Sequence, residues 1–309
     1  MKIALLACCF AALATAADPQ LLGMAGAEPK LIAGVNVAQA RVSPLAQFLL
    51  ARMPQDDAAL REFTLATGFD PRRDVTELLM VSNGQPGHPL MLARGAFDPR
   101  RIVEAAKSHG FTGETYKGVE LLIHSRAHGG ALAILDNSLA AFGSSDDVRA
   151  AIDRRSSPVS LAPQLFAKVN ELSLTTDAWV ITSAPLSELG RNVPSPAPQG
   201  PINGDILRKI ERSSGGLKLG SNVEIRAEAE MPADRDATAL ADVLRFLAGM
   251  AQLNMPQNVP NPLQTLNIAA ETNLVKVSIS IPQAQLENLI NSAPRRGQAA
   301  RRRPANGKL

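Results

Sequence analysis

Cysteine is confined to the first residues of the chain. The two cysteines are Cys8 and Cys9, and both lie in an N-terminal apolar run. If that run is removed during export, the mature chain has no thiol. Disulfides, thiol nucleophiles, zinc–thiolate sites and covalent haem attachment are then excluded. Such a protein is held by its hydrophobic core, and 309 residues suffice for one large or two medium domains.

Aromatic residues and catalytic motifs are also scarce. Aromatics make up 4% of the chain, with one tryptophan and one tyrosine, which disfavours a sugar-active enzyme because sugar sites usually need stacking rings. There is no Gly-x-Ser-x-Gly elbow, Ser-x-x-Lys box, phosphate-binding loop or dinucleotide fingerprint. The sequence therefore predicts no catalytic residue and no cofactor, and it favours a non-enzyme.

No stretch after the N-terminus approaches the roughly 18 apolar residues of a transmembrane helix, so none is predicted. Residues 1–17 have the three parts of a secretory signal: Lys2, the apolar run Ile3–Leu13 and the small residues Ala14-Thr15-Ala16. Cleavage after Ala16 or after Ala17 fits equally well. We expect an exported protein, either periplasmic or secreted.

A lipoprotein signal with attachment at Cys8 is the competing interpretation. It fails on length, because only about five apolar residues would precede the cysteine and a usable apolar region needs roughly seven or more.

Positive charge is concentrated at the C-terminus. The formal net charge is +3 and the pI about 9.0, but residues 294–309 alone hold Arg295, Arg296, Arg301, Arg302, Arg303 and Lys308. Without this segment the rest of the chain is net negative. The segment has no apolar periodicity, so it is predicted to be a disordered tail. It could contact an anionic surface such as lipid or an envelope polymer, or it could be a solvated end with no partner. No aromatic residue interleaves the arginines, so no specific nucleic-acid binding is expected.

Strand and helix patterns run through the chain twice, over residues 18–158 and 159–293. Val223–Met231 alternates apolar and charged residues, which is typical of an antiparallel strand with one buried face. The helical pattern Pro99–Ser108 in the first series corresponds to Asp236–Leu253 in the second. The sequence predicts an α+β fold of two similar units, each an antiparallel sheet with helices packed on one face. Residues 18–29 are expected to be a loose leader, and Gly215-Gly216 to precede a strand.

One short motif is repeated literally, as Phe69-Asp70-Pro71-Arg72-Arg73 and Phe97-Asp98-Pro99-Arg100-Arg101. Asp followed by Pro is typical of a capped helix start, with Phe packing back onto the core. This mechanical interpretation is favoured. The alternative is an anion clamp, and the arginines tentatively assigned to anion contacts, there and in the tail, are Arg72, Arg73, Arg100, Arg101, Arg295, Arg296, Arg301, Arg302 and Arg303.

Histidines are too few and too scattered to suggest chemistry. His124 and His128 flank a predicted turn and could face each other, but no nearby pair of carboxylates completes a metal site. His88 lies in a Gly/Pro turn and His109 at a helix end. No metal site is predicted.

The motifs of the first unit resemble those of an uncharacterised family of exported bacterial proteins. The residues that carry the resemblance are Thr67-Gly68-Phe69-Asp70-Pro71, Asp74-Val75, Tyr116-Lys117-Gly118-Val119, Ala131–Leu135, Phe142-Gly143-Ser144 and the helix Val148–Ile152. The resemblance implies a secreted or envelope protein and supplies no catalytic residues.

Three functions remain open. The first, and favoured, is a non-catalytic exported protein that binds a protein or an envelope component. The second is a carrier of an apolar ligand held between sheet and helices, with Asp236–Leu253 and Met255–Pro262 as a lid. The third is a hydrolase with a dispersed site. A dry cavity above about 300 Å³ would favour the carrier, and a packed core with an exposed apolar patch would favour the binding protein.

Overall fold

The computed structural model describes residues 17–52, 58–84, 89–124, 130–185, 205–254 and 261–292. Over these residues the chain forms one antiparallel sheet of twelve strands with helices packed against it, an α+β fold as predicted. The predicted signal up to residue 16 and the basic tail 294–309 lie outside the described residues.

The strands are β1 Leu31–Asn36, β2 Val75–Ser82, β3 Leu90–Gly95, β4 Phe111–Tyr116, β5 Val119–His124, β6 Gly130–Ile134, β7 Leu139–Ser144, β8 Ala178–Thr182, β9 Arg212–Leu219, β10 Asn222–Glu230, β11 Asn267–Glu271 and β12 Leu274–Pro282. The helices are α1 Pro19–Ala25, α2 Val37–Val42, α3 Pro44–Leu50, α4 Ala58–Thr67, α5 Pro71–Asp74, α6 Pro99–Ser108, α7 Ser145–Ser156, α8 Pro163–Thr175, α9 Asp205–Arg208, α10 Asp234–Leu253 and α11 Gln283–Ser292. A 3₁₀ turn spans Pro262–Thr265. Within the described part of the chain, no helix is long and apolar enough to cross a membrane.

The strand order places the two predicted units side by side in one continuous sheet. It runs β11-β12-β10-β9-β8-β1-β2-β3-β7-β6-β5-β4. All strands of residues 18–158 therefore lie on one side of the β1–β8 pair, and all strands of 159–293 on the other. The units share this sheet rather than building one each.

Helices pack on both faces of the sheet, so the expectation of helices on one face is wrong. Along β6, Ala131 and Ala133 join the core cluster that contains α1, α7 and α8, whereas Leu132 and Ile134 join a cluster with α4 and α6. Successive strand residues point to opposite faces, and a strand paired on both sides can bury both. We call these the α8 face and the α6 face; the strand register places α10 on the α6 face.

The β1–β8 pair depends on the single tryptophan. Trp179 of β8 is 6% exposed and pairs with Gly34 of β1 and Gly216 of β9. A Cβ atom at position 34 would lie 2.5 Å from the Trp179 ring. The indole therefore lies across the backbone of β1, and only glycine leaves room for it.

A buried carboxylate ties the same strands together. Asp177 is 1% exposed. Its side chain accepts hydrogen bonds from the Leu219 amide at 2.6 Å and from Lys218 Nζ at 3.0 Å. Its carbonyl accepts a hydrogen bond from the Asn36 amide at 2.8 Å. One residue thus connects the ends of β1, β8 and β9 with its polar groups satisfied.

Three local expectations are also corrected. Residues 18–29 are not a loose leader, because α1 begins at the N-cap Asp18 and buries Leu21, Leu22 and Met24 in the core. Gly215 and Gly216 lie within β9 rather than before it. The strand β4 was not predicted, since its polar residues give little apolar pattern and the sheet edge supplies its pairing.

Substitution Gly34→Ala is expected to destabilise the protein by about 1–3 kcal/mol, because the added methyl group forces the Trp179 ring out of its place. Gly249→Ala is the control, since nothing lies within 4 Å of a Cβ there and α10 gains a better helix former. Denaturant unfolding followed by the fluorescence of Trp179 measures both. Equal stability of the two variants would contradict this account of β1–β8.

Candidate binding surfaces

A groove of about 750 Å³ opens on the α8 face. It lies where α8 crosses the ends of β8, β9 and β10, beside residues 28–30. Leu165 and Ile181 provide apolar lining, whereas Lys168, Arg212 and Glu228 bring charge into it. The groove is open and mixed in character, unlike the dry cavity expected of an apolar-ligand carrier.

Charges in the groove are paired with one another. Lys168 Nζ lies 2.7 Å from Glu228 and 3.1 Å from Glu171, and Arg212 Nε lies 3.4 Å from Glu230. Burial lowers the pKa of Lys168, but the hydrogen bonds to Glu228 and Glu171 outweigh it and hold that pKa above the ordinary lysine value. The Lys168–Glu228 pair joins α8 to β10, whereas Lys168–Glu171 lies within α8 and Arg212–Glu230 joins β9 to β10.

Two hydroxyl groups in the groove, those of Thr182 and Ser213, bond to each other. Thr182 Oγ1 and Ser213 Oγ lie 2.9 Å apart, and Thr182 Oγ1 also accepts from the Ser213 amide at 2.9 Å. Among the described residues their partners are each other and the backbone, without the base that nucleophilic catalysis requires. Nothing in this geometry supports the hydrolase hypothesis.

A second surface is apolar and lies on α10. Phe246, Met250 and Leu253 are 58%, 45% and 84% exposed. They follow one another at helical spacing i, i+4 and i+7, and so share one side of the helix. The other side packs Ala237, Leu240, Ala241 and Leu244 into the core. We call the exposed side the α10 apolar face.

Sequence analysis identified α10 but missed this face. The helical pattern Asp236–Leu253 does not by itself separate Phe246, Met250 and Leu253 from the residues that pack in the core. The available signal was the width of the apolar pattern, because a helix with one buried side needs only one apolar stripe. Apolar residues outside that stripe indicate that a second side of the helix makes a contact.

The two Phe-Asp-Pro-Arg-Arg motifs come together in space. Asp70 and Asp98 cap α5 and α6, with Pro at the first turn of each, as the favoured interpretation expects. The rings of Phe69 and Phe97 lie 5.3 Å apart. The mechanical role is therefore present in the structure.

The arginines of these motifs have protein partners. Arg72 Nε lies 3.3 Å from Asp70, and Arg73 Nε lies 2.6 Å from Asp74. Arg101 donates to the Ala66 carbonyl at 3.4 Å, and Arg100 is exposed. An anion contact by these arginines stays a prediction, and Arg295, Arg296, Arg301, Arg302 and Arg303 lie outside the described residues.

The histidines do not come together into a site where the structure describes them. The His109 ring nitrogen Nδ1 lies 2.8 Å from the Ala105 carbonyl at the end of α6, while His88 and His128 lie outside the described residues. Over those residues, no three His, Cys, Asp or Glu side chains are grouped as a metal site.

Comparison with known proteins yields a likeness of fold. Three crystal forms of TP0453 resemble the chain. Form III has a TM-score of 0.52 and 12% identity, and the match covers 89% of this chain and 98% of that one. Form I has a TM-score of 0.51 and 12% identity, with coverages of 89% and 97%, and form IV has a TM-score of 0.52 and 13% identity, with coverages of 90% and 98%. No family model and no curated protein matches the sequence. At such identity the comparison shows the fold alone.

Substitution Lys168→Gln is expected to lower stability by about 0.5–1 kcal/mol at neutral pH, because it removes the ion pair to Glu228 that joins α8 to β10 and the pair to Glu171 within α8. Since the pKa of Lys168 is raised in the folded state, its contribution is fully present below the ordinary lysine pKa and is lost as the pH rises through the folded value. Urea unfolding of both proteins from pH 7 to 11 tests this. A difference that does not shrink in alkali would contradict it.

Proposed function

We propose that this chain is an exported, non-catalytic binding protein of the cell envelope and that it contacts a partner protein through the α10 apolar face. The supporting observation is the combination of a packed interior with three large apolar side chains exposed along one side of one helix. Contiguous apolar surface of this kind is typical of protein interaction sites.

The surface has the features of an anchor for a partner. Phe246 is aromatic and Met250 is an adaptable thioether, both residue types enriched at interfaces. Arg245 lies beside them and is held by Asp242 at 2.8 Å and by the Ile268 carbonyl at 2.9 Å. A partner that covers the apolar side chains would thus meet a polar rim already fixed in place.

We also propose that the two units arose by duplication. Outwards from the central pair, one side reads β1, β2, β3, then β7 and β6; the other reads β8, β9, β10, then β12 and β11. Helix α6 follows β3 as α10 follows β10. In this proposal β4 and β5 are an addition to the first unit, and the domain limits 18–158 and 159–293 meet between α7 and α8.

The export signal, the periplasmic or secreted location and an anionic surface as a partner of the tail belong to the same proposal. They rest on the sequence of residues 1–17 and 294–309. The tail would add electrostatic attraction to an envelope surface.

A carrier of an apolar ligand is the second candidate. Ile225 of β10 is 43% exposed on the α6 face, the face on which α10 lies. An apolar molecule could cover Ile225 and part of α10 together.

Native mass spectrometry of the gently purified mature protein, followed by solvent extraction, decides between the candidates: a stoichiometric lipid supports the carrier, and a ligand-free mass supports the binding protein.

Photo-crosslinking in the producing cell tests the proposed surface directly. A benzophenone amino acid in place of Phe246 or Leu253 is expected to give adducts with one partner protein, the same at both positions. A second copy of this chain would count as that partner. The matched control is Leu65, an apolar residue on α4 that is 78% exposed. In the double variant Phe246→Ser and Met250→Ser, adducts at position 253 should fall at least fivefold, with stability changed by about 0.5 kcal/mol or less.

Adducts equally abundant at positions 246, 253 and 65 would contradict the proposal, as would adducts only with lipid. Adducts that persist in the double variant would show that the α10 apolar face does not hold the partner.

A further inference from the structure

A half-buried charge cluster surrounds the start of the described chain. The Asp18 carboxylate pairs with Arg94 Nε, and Arg94 Nη2 donates to Gln20 Oε1 at 2.5 Å. The backbone amide of Asp18 donates to Glu77 Oε1 at 3.0 Å. Arg94 is thus paired with Asp18, and only its charge at longer range acts on Glu77, so two carboxylates stand near one guanidinium.

The pKa of Glu77 is raised in this cluster. Burial raises its pKa, and the charge of Asp18 adds to this, while the Asp18 amide and the Arg94 charge act in the opposite sense. An acid whose pKa is raised by folding destabilises the fold as the pH rises through that pKa. A cation beside Glu77 would remove this penalty.

Space for such a cation lies next to Ala17. A cavity of about 10 Å³ is bordered by Ala17, Asn36, Glu77, Ser173, Thr176 and Trp179, and this is room for one water molecule or one ammonium group. Four of these residues are polar and could accept hydrogen bonds. Ala17 itself is 6% exposed and belongs to the core cluster.

We propose that the predicted export signal is cut between Ala16 and Ala17, and that the new α-ammonium group of Ala17 is bound by Glu77. In this hydrolysis a signal peptidase adds water across the peptide bond. The C–N bond breaks, Ala16 ends in a carboxylate, and the amine of Ala17 takes up a proton. Cleavage after Ala17 would discard a side chain that packs in the core, so the structure favours one of the two cuts that the sequence left open.

The consequence is that processing and folding are coupled. The Asp18 amide donates to Glu77 in both forms, but the Ala17 nitrogen, which borders the same cavity, is a neutral amide in the precursor and a charged ammonium group in the mature chain. Among the described residues, Asp18 and Arg94 are the side chains whose charges shift the pKa of Glu77. The mature protein is therefore expected to be more stable than a chain in which the amino group is moved away.

The test starts from the full-length precursor produced in an exporting host. The intact mass of the purified protein should correspond to a chain that begins with Ala17-Asp18-Pro19. NMR titration of protein made with ¹³C-labelled alanine, followed at the Ala17 methyl group, should give an amino pKa at least one unit above the ordinary value of about 7.7–8.0. Glu77→Gln should abolish that rise, and the control Glu224→Gln, an exposed β10 carboxylate, should not.

A chain with Gly-Ser inserted between residues 16 and 17 keeps Glu77 but moves the amine, and its unfolding midpoint should fall by about 2–4 °C. This arm is informative even if Glu77→Gln fails to fold. A mature chain beginning at Asp18, an unprocessed chain, or an amino pKa in the ordinary range would each overturn the proposal. This inference rests on the proposed export, so an unprocessed chain would overturn both. A chain that begins at Asp18, or an ordinary amino pKa, would overturn this inference alone, because Glu77 and the α10 apolar face lie in different units.

Discussion

The contact between Trp179 and Gly34 is the constraint on which the rest of the structure depends. A twelve-stranded sheet assembled from two chain segments needs its central pair to hold, and β1–β8 is the only link between the segments within the described sheet. The indole of Trp179 lies across Gly34 and buries a large aromatic surface there. Without it, the two strands would meet mainly through their backbones. Asp177 adds polar attachment at the same place, so packing and hydrogen bonds agree there.

A single continuous sheet also explains where surface is left over. Helices α1 and α7 cover the α8 face over the first unit, and α8 covers it over β8 and β9. Towards β10 and β12 that face carries Glu228, Glu230 and Lys276. On the α6 face, α10 packs its first half and extends beyond the core with its second half. Exposed apolar surface in this fold is therefore left by the part of a helix that extends past the core it stabilises.

Much of the local structure could be predicted, because its causes are local. Asp70 before Pro71 and Asp98 before Pro99 cap their helices as expected. The alternation of Val223–Met231 gave a strand whose charged residues indeed lie on one side, although Ile225 on the other side is partly exposed. The order of elements, and so the α+β class, followed from such patterns.

What could not be predicted depends on contacts between distant residues. Gly215 and Gly216 look like a turn until Thr176 and its neighbours occupy the space above β9. The short helix α1 has too few turns to show a period, and its burial comes from α7. The α10 apolar face was hidden for a related reason: periodicity identifies apolar residues but does not say which of them the core has room to cover.

The central claim is that a sheet held at β1–β8 presents the second half of α10 to a partner. Hydrogen exchange measured by mass spectrometry, on the mature protein alone and in an envelope extract of the producing cell, tests it most directly. The account predicts that β1 and β8 exchange slowest in both samples and that Arg245–Leu253 becomes protected only in the extract. Unchanged exchange in α10, or faster exchange in β1 and β8 than in the outer strands, would contradict it.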